Sequence, residues 1–280
     1  MARWMTFVAL AFVASAMCSH AQSPAPRPAF EVASVKRNFS GSDRAYLQAT
    51  PGRLVITNVA LKRLILSAYD VQDYQISGDP SWTASEQYDI QATAEGKASV
   101  QEMEGPMLKA LLEERFKLVL HRETRQLPIY ELTIAKSGAK LQGVKEGGCT
   151  PYSADSPPPS TPAPGEVGPH YCGFSRPGVN GLNGTLEGTG VSITQLATVL
   201  SRQYSPSGLR RPIIDRTGLT GTFDFHLEWT PDQATVPQSD DATGPSIFTA
   251  VQEQLGLKLE PAKGPVEVLV IDHVERPSEN

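Results

Sequence analysis

Apolar residues recur with helical spacing along residues 58–66 and again along residues 190–198. From NVALKRLIL onward, Leu61, Leu64, Ile65 and Ala68 stand at i, i+3, i+4 and i+7. From GVSITQLAT onward, Ile193, Leu196, Ala197 and Leu200 repeat the spacing. Each set lines one face of an amphipathic helix. Ser192, with Gln195 three residues on, reads as a capping box. A second helical pair follows the same logic. GPMLKALLEERF carries Leu108, Leu111, Leu112 and Phe116, and GPSIFTAVQEQL carries Ile247, Ala250, Val251 and Leu255. Both open with Gly-Pro, and proline suits a first helical turn because it has no N–H to leave unpaired there.

Between and after these helices the period changes to two. YDIQAT (88–93) and FDFHLEW (223–229) alternate apolar with polar, as half-buried strands do. Short apolar runs precede them, YQIS and PIID, followed by the turns GDPSW and RTGLTG. After each second helix come two more strand patterns, KLVLHRE with PIYELTIAK and LKLEPAK with PVEVLVIDHV. Each half therefore reads strand, helix, strand, strand, helix, strand, strand. The expected fold is α+β, a tandem duplication of this unit with helices on one face of mixed or antiparallel sheets. A period of roughly 135 residues is too long for a solenoid. The expected organisation is a first lobe over 22–142, a Pro/Gly-rich linker over 143–184 and a second lobe over 185–280. The linker contains SPPPSTPAPG, which cannot bury enough apolar surface to order itself. A polar stretch, PDQATVPQSDDATGP, interrupts the second lobe.

The first 21 residues change the compartment. Arg3, the apolar run TFVALAFVASAM and the small residues of SHA form a secretory leader, cut after Ala21. The run is shorter than the about 20 apolar residues a membrane span needs. A lipoprotein signal ending at Cys18 is the competing reading, opposed by Met17 where a small residue belongs. The formal net charge of −5 becomes more negative when Arg3 is removed, which speaks against nucleic acid and anionic lipid as partners. Cys149 and Cys172 would then remain in an oxidising compartment, and a disulfide between them is expected. Two free thiols are the alternative; a metal site lacks the CxxC spacing and would need histidine partners.

The residues 211–229, RPIIDRTGLTGTFDFHLEW, concentrate candidate chemistry. Asp224, His226 and Glu228 share one strand face at about 6.8 Å intervals. They are ligand-type side chains, yet successive residues on one strand converge poorly on one ion, and the first half has Asp89, Gln91 and Thr93 at the matching places. No metal and no cofactor are expected. Asp215 beside Arg216 could serve catalysis; it reads better as a residue bonding the turn TGLTG. His121, His170 and His273 are isolated, Glu113 and Glu114 sit on a solvated helix face, and no GxSxG elbow, P-loop or GxGxxG occurs. Trp82 and Trp229 could stack on a ligand, with packing in their own lobes as the simpler role.

FEVASVKRN, NVALKRLILSAYDVQDYQISGDPSW, YDIQATAEG, MLKALLEERFKLVLHRETRQLPIYELTIAKSGAKL and RPIIDRTGLTGTFDFHLEWTPD together resemble an uncharacterised secreted protein family of soil acidobacteria. The resemblance spans about Phe30 to Val274. It implies a domain of unknown function with no assigned catalytic residues. In some relatives the domain is attached to a membrane zinc peptidase of the β-lactam-sensor type, which implies an extracytoplasmic sensing or binding role. NVALKRLI and GVSITQLA also resemble, more faintly, the short periplasmic domains of secretins and TonB receptors. The expected function is an exported, periplasmic or extracellular binding module that takes an envelope protein or cell-wall component. The alternative is a secreted hydrolase whose site is assembled from Asp215, Asp224, His226 and Glu228.

Overall fold

The computed structural model describes residues 28–145, 147–151, 171–202, 209–231 and 244–278. The expected leader with Cys18, His170, the SPPPSTPAPG stretch and most of the stretch 231–245 lie outside them. The first half runs β1 (Phe30–Asn38), β2 (Tyr46–Thr50), β3 (Arg53–Ala60), α1 (Leu61–Tyr69), β4 (Ile76–Ser77), α2 (Trp82–Ser85), β5 (Gln87–Ala94), α3 (Val100–Glu102), α4 (Leu108–Arg115) and β6 (Val119–Ile134). The second runs β7 (Gln142–Gly143), β8 (Phe174–Asn180), β9 (Asn183–Val191), α5 (Ile193–Ser201), β10 (Ile213–Asp215), β11 (Phe223–Trp229), α6 (Ile247–Leu255) and β12 (Leu257–His273). The fold is α+β.

The helical stripes are buried as their spacing requires: Leu61, Leu64, Ile65 and Ala68 on α1, and Ile193, Leu196, Ala197 and Leu200 on α5. The Ser192–Gln195 capping box forms in both directions, with the Gln195 N–H donating to Ser192 Oγ and the Ser192 N–H to Gln195 Oε1. The Gly-Pro pairs behave differently from expectation. Helix formation in the first half starts earlier, at a capping box of Ser99 and Glu102, and Pro106 falls inside a π-helical turn over Met103–Met107. A wider turn is the usual accommodation for a residue that cannot donate to the α-ladder. In the second half Pro245 precedes Ser246, which is the true N-cap of α6.

Among the described residues three four-stranded sheets result. Two are antiparallel and share one order: β1-β5-β3-β2 and β7-β11-β9-β8. The third, β10-β6-β12-β4, is mixed and joins the halves. Here the structure departs from the strand count read above. KLVLHRE and PIYELTIAK form one strand of 16 residues, and LKLEPAK and PVEVLVIDHV form one of 17. They pair antiparallel along nearly their whole length, with Leu127 opposite Gly264 near the middle. Pro128 and Pro265 interrupt the alternation that sequence reading relies on. Neither breaks the ladder, because the flanking strands β4 and β10 pair only with residues 269–270 and 130–132.

This long antiparallel strand pair exchanges strands between the two cores. β12 belongs to the second half, yet its Leu269 and Ile271 pack with α1, α4 and β5 of the first. β6 belongs to the first half, yet its fully buried Leu132 packs with α5, α6 and β11 of the second. Trp229 is 1% exposed and fills that second core, so packing is its role. Trp82 is half-buried against the first core.

Candidate functional site

A cavity of about 470 Å³ opens at the edge of the β7-β11-β9-β8 sheet. Its lining includes Lys140 and Gln142, Glu187 and Thr189 of β9, Asp224 and His226 of β11, and Gln254 of α6. Phe225 forms part of the wall: its ring lies over Gly188, in the space a Cβ would occupy. Of the four candidate residues read from the sequence, Asp224 and His226 line it.

Each of those residues has a structural engagement. Asp215 Oδ1 accepts from both the Thr217 N–H and Thr217 Oγ1 at 2.8 Å, which is the turn role. Asp224 Oδ1 accepts from the Gly190 N–H at 2.9 Å. Gly190 has φ +60° and sits where the β9–β11 register shifts, just ahead of α5. The first half repeats the device: Asp89 Oδ1 accepts at 2.9 Å from the N–H of Asn58, φ +56°, just ahead of α1. An aspartate thus holds a left-handed bulge residue that turns a strand into a helix. Asp224→Ala leaves that partly buried N–H without its partner, and a loss of about 1–3 kcal/mol is expected. Chemical denaturation checks it, and an unchanged midpoint would refute the bulge-holding role.

His226 is exposed and lies between two carboxylates, with Nδ1 3.7 Å from Glu187 and Nε2 3.9 Å from Glu228. Glu228 Oε1 accepts from Asn183 Nδ2 at 2.8 Å and Asn180 Nδ2 at 3.3 Å, and these amides, chiefly Asn183, hold its carboxyl below the usual range. Its main chain is engaged too: the Glu228 N–H donates to Gln254 Oε1 at 2.9 Å, and Gln254 Nε2 donates to the Glu228 carbonyl at 2.7 Å. Asp215 lies away from this group and does not line the cavity. Among the described residues no group of three or more His, Cys, Asp or Glu could hold a metal ion. His121 meets Asp272 at 2.9 Å and His273 meets Glu275 at 2.9 Å, both exposed.

Cys149 and Cys172 are bonded, with S–S 1.99 Å. The bridge packs against Gly190, where an added Cβ would stand 3.1 Å from Cys149 Sγ. It therefore braces the same bulge that Asp224 holds.

A second feature had no signal in the sequence. Glu86, with 10% of its side chain exposed, gathers Arg37, Arg276 and the Tyr88 hydroxyl. Arg276 binds it through both Nε and Nη2 and also lies 4.8 Å over the Trp82 ring. The Arg276 hydrogen bonds are the main cause of a lowered Glu86 pKa, while burial pushes Tyr88 up to about 12. A carboxylate whose folded pKa is depressed stabilises the fold above its unfolded pKa, and that stabilisation disappears as pH falls through the folded value. Arg276→Ala should therefore destabilise at neutral pH and much less once Glu86 is protonated. Denaturation midpoints across the acid range check this; an effect independent of pH would refute it.

An α+β protein with two like-ordered sheets and a polar cavity on one sheet edge is thus defined. Residues 62–274 match the family described as "Protein of unknown function (DUF3738)", and the chain belongs to that family. No curated protein matches it, and no solved structure matches it.

Proposed function

We propose that the protein is an exported cell-envelope binding module, and that the cavity at the β11 edge is its contact site. The observation that carries this reading is the engagement of the reactive side chains. Asp215 holds a turn, Asp224 a bulge and Glu228 two asparagines, while the cavity presents amide, hydroxyl and charged groups suited to recognition. The Cys149–Cys172 bond fits an oxidising compartment. So does the leader read from residues 1–21. The resemblance to a soil acidobacterial family, some of whose members carry a sensor peptidase, suits an extracytoplasmic binding role. The like strand order of the two sheets suits an origin by duplication. The test is affinity capture: oxidised residues 22–280 exposed to solubilised envelope proteins and to isolated cell wall of the host. A saturable, identifiable partner is expected. A folded protein that retains nothing would overturn the reading.

One observation favours the alternative, a secreted hydrolase: His226 lies within 4 Å of both Glu187 and Glu228 in an open cavity. His226→Ala should leave stability nearly unchanged, since the ring is exposed. If it abolished a turnover found on a substrate panel, the hydrolase would replace the binding module.

A further inference from the structure

The two like-ordered sheets differ in one position. In the first, the nine-residue β1 covers β5 from Gln87 to Ala94. In the second, the same position holds, among the described residues, only β7, a stub of two residues beside Phe223 and Asp224. Before the stub, the chain bends away from β11, and the Lys140 N–H bonds the Leu255 carbonyl at the end of α6. The adjoining helices record the difference. Near the end of α4, Arg115 Nη1 donates to the Ala33 carbonyl of β1 at 3.1 Å. Near the end of α6, Gln254 spans to β11 itself and makes with Glu228 the pair of hydrogen bonds that a neighbouring strand would make. Along an antiparallel strand, main-chain groups point alternately to the two sides. With Glu228 turned away from β9, His226 is turned the same way, and its N–H and C=O have no partner among the described residues. The cavity lies at this gap.

We infer that the β11 edge between β7 and Gln254 accepts an extended segment of a partner polypeptide, added antiparallel to β11 and bearing Lys or Arg. Main-chain bonds to His226, and to Glu228 once Gln254 is displaced, supply the pairing. The charge follows from the rim: Glu187 and Glu228 flank His226 on one face, and the Nζ of Lys140 is turned to the Glu253 carbonyl at 2.6 Å. Asp224 points the same way. Its counterpart Asp89 also receives the Asn38 amide from the strand in its slot, at 2.8 and 2.9 Å. This inference deepens the binding-module reading and rests on it.

The probes are synthetic six-residue peptides: FEVASV, residues 30–35 of β1, whose register stops short of the places that β7 fills, and two variants with Lys or with Glu at the positions of Val32 and Ser34. In the β1 register those positions face Thr93 and Gln91, the places held in β11 by Glu228 and His226. The readout is residue-resolved amide exchange in the oxidised protein. The Lys peptide should slow exchange at His226 by at least about tenfold and bind about tenfold more tightly than the Glu peptide. Gln254→Ala should tighten binding, and His226→Pro, which removes the N–H at an edge position, should abolish it while the circular-dichroism spectrum stays native. A His226 amide already protected in the free protein overturns the inference, because the edge is then filled by the chain itself. So does an amide that no peptide affects. In the envelope capture, a partner retained equally by the His226→Pro variant rejects the strand slot and leaves the binding module standing; no partner at all rejects the module.

Discussion

Residues 22–141 and 142–280, made as separate polypeptides, are expected to give no folded monomer. The reason is the exchanged strand pair, β6 with β12. The first half alone lacks Leu269 and Ile271, which are 1% and 6% exposed in its core, together with the strand that pairs with β6 from Val119 to Ile134. The second half alone lacks Leu132, fully buried among α5, α6 and β11, and the strand that pairs with β12. Burying one Leu or Ile contributes about 1.5–3 kcal/mol. A domain's net stability is only about 5–15 kcal/mol. Losing two or three such side chains together with a whole ladder consumes that margin. Mixed halves should recover the native circular-dichroism spectrum, because each restores the other's missing strand. In the intact chain, Leu269→Ala should cost about 2–5 kcal/mol and lower one shared transition. Circular dichroism with sedimentation checks the halves; a monomeric half that melts cooperatively would refute the exchange as a stability requirement.

Gly256→Ala is expected to cost at least about 3 kcal/mol, from two separable sources. Gly256 ends α6 with φ +64°, a left-handed cap that costs an L-residue about 1–2 kcal/mol. Its neighbours leave no room either. An added Cβ would stand 2.0 Å from the Gly138 carbonyl oxygen and 2.8 Å from the Lys140 nitrogen, both main-chain atoms. The segment 138–140 would have to move. That breaks the bonds Ala135 N–H to Gly256 O at 2.9 Å and Lys140 N–H to Leu255 O at 2.8 Å, each worth about 1 kcal/mol. Lys140 and Leu255 also line the β11 cavity, so the same change should alter its shape. Urea denaturation measures the loss, and amide exchange at Lys140 locates it. A change under about 1 kcal/mol would mean that the segment yields without breaking its bonds.

Much of the fold is legible locally. The stripes on α1, α4, α5 and α6, the Ser192–Gln195 box, the turn at Asp215 and the paired cysteines follow from spacing of a few residues or from simple counting. The misplaced boundaries are those where a remote partner decides. Gly105-Pro106 resembles a helix start, but Met103 and Met107 are buried beside Ala94, and a π turn carries the chain through instead. KLVLHRE and PIYELTIAK read as two strands, but pairing of Gln126–Pro128 with residues 263–265 keeps one strand continuous.

The candidate site divides in the same way. Asp224, His226 and Glu228 stand out in the sequence because their residue types and alternation are local facts. That Asp224 holds a bulge is visible only once Gly190 lies beside it, and Gln254 and Glu187 join the site only through the packing of α6 and β9. By itself, then, the sequence determined the element types, the α+β class and the two buried helix pairs, because periodicity and capping act within a few residues. Only the tertiary structure decided which half completes which core and how far β7 covers β11 among the described residues. Those outcomes depend on hydrogen-bond pairing between residues eighty or more positions apart, and no local pattern encodes that pairing.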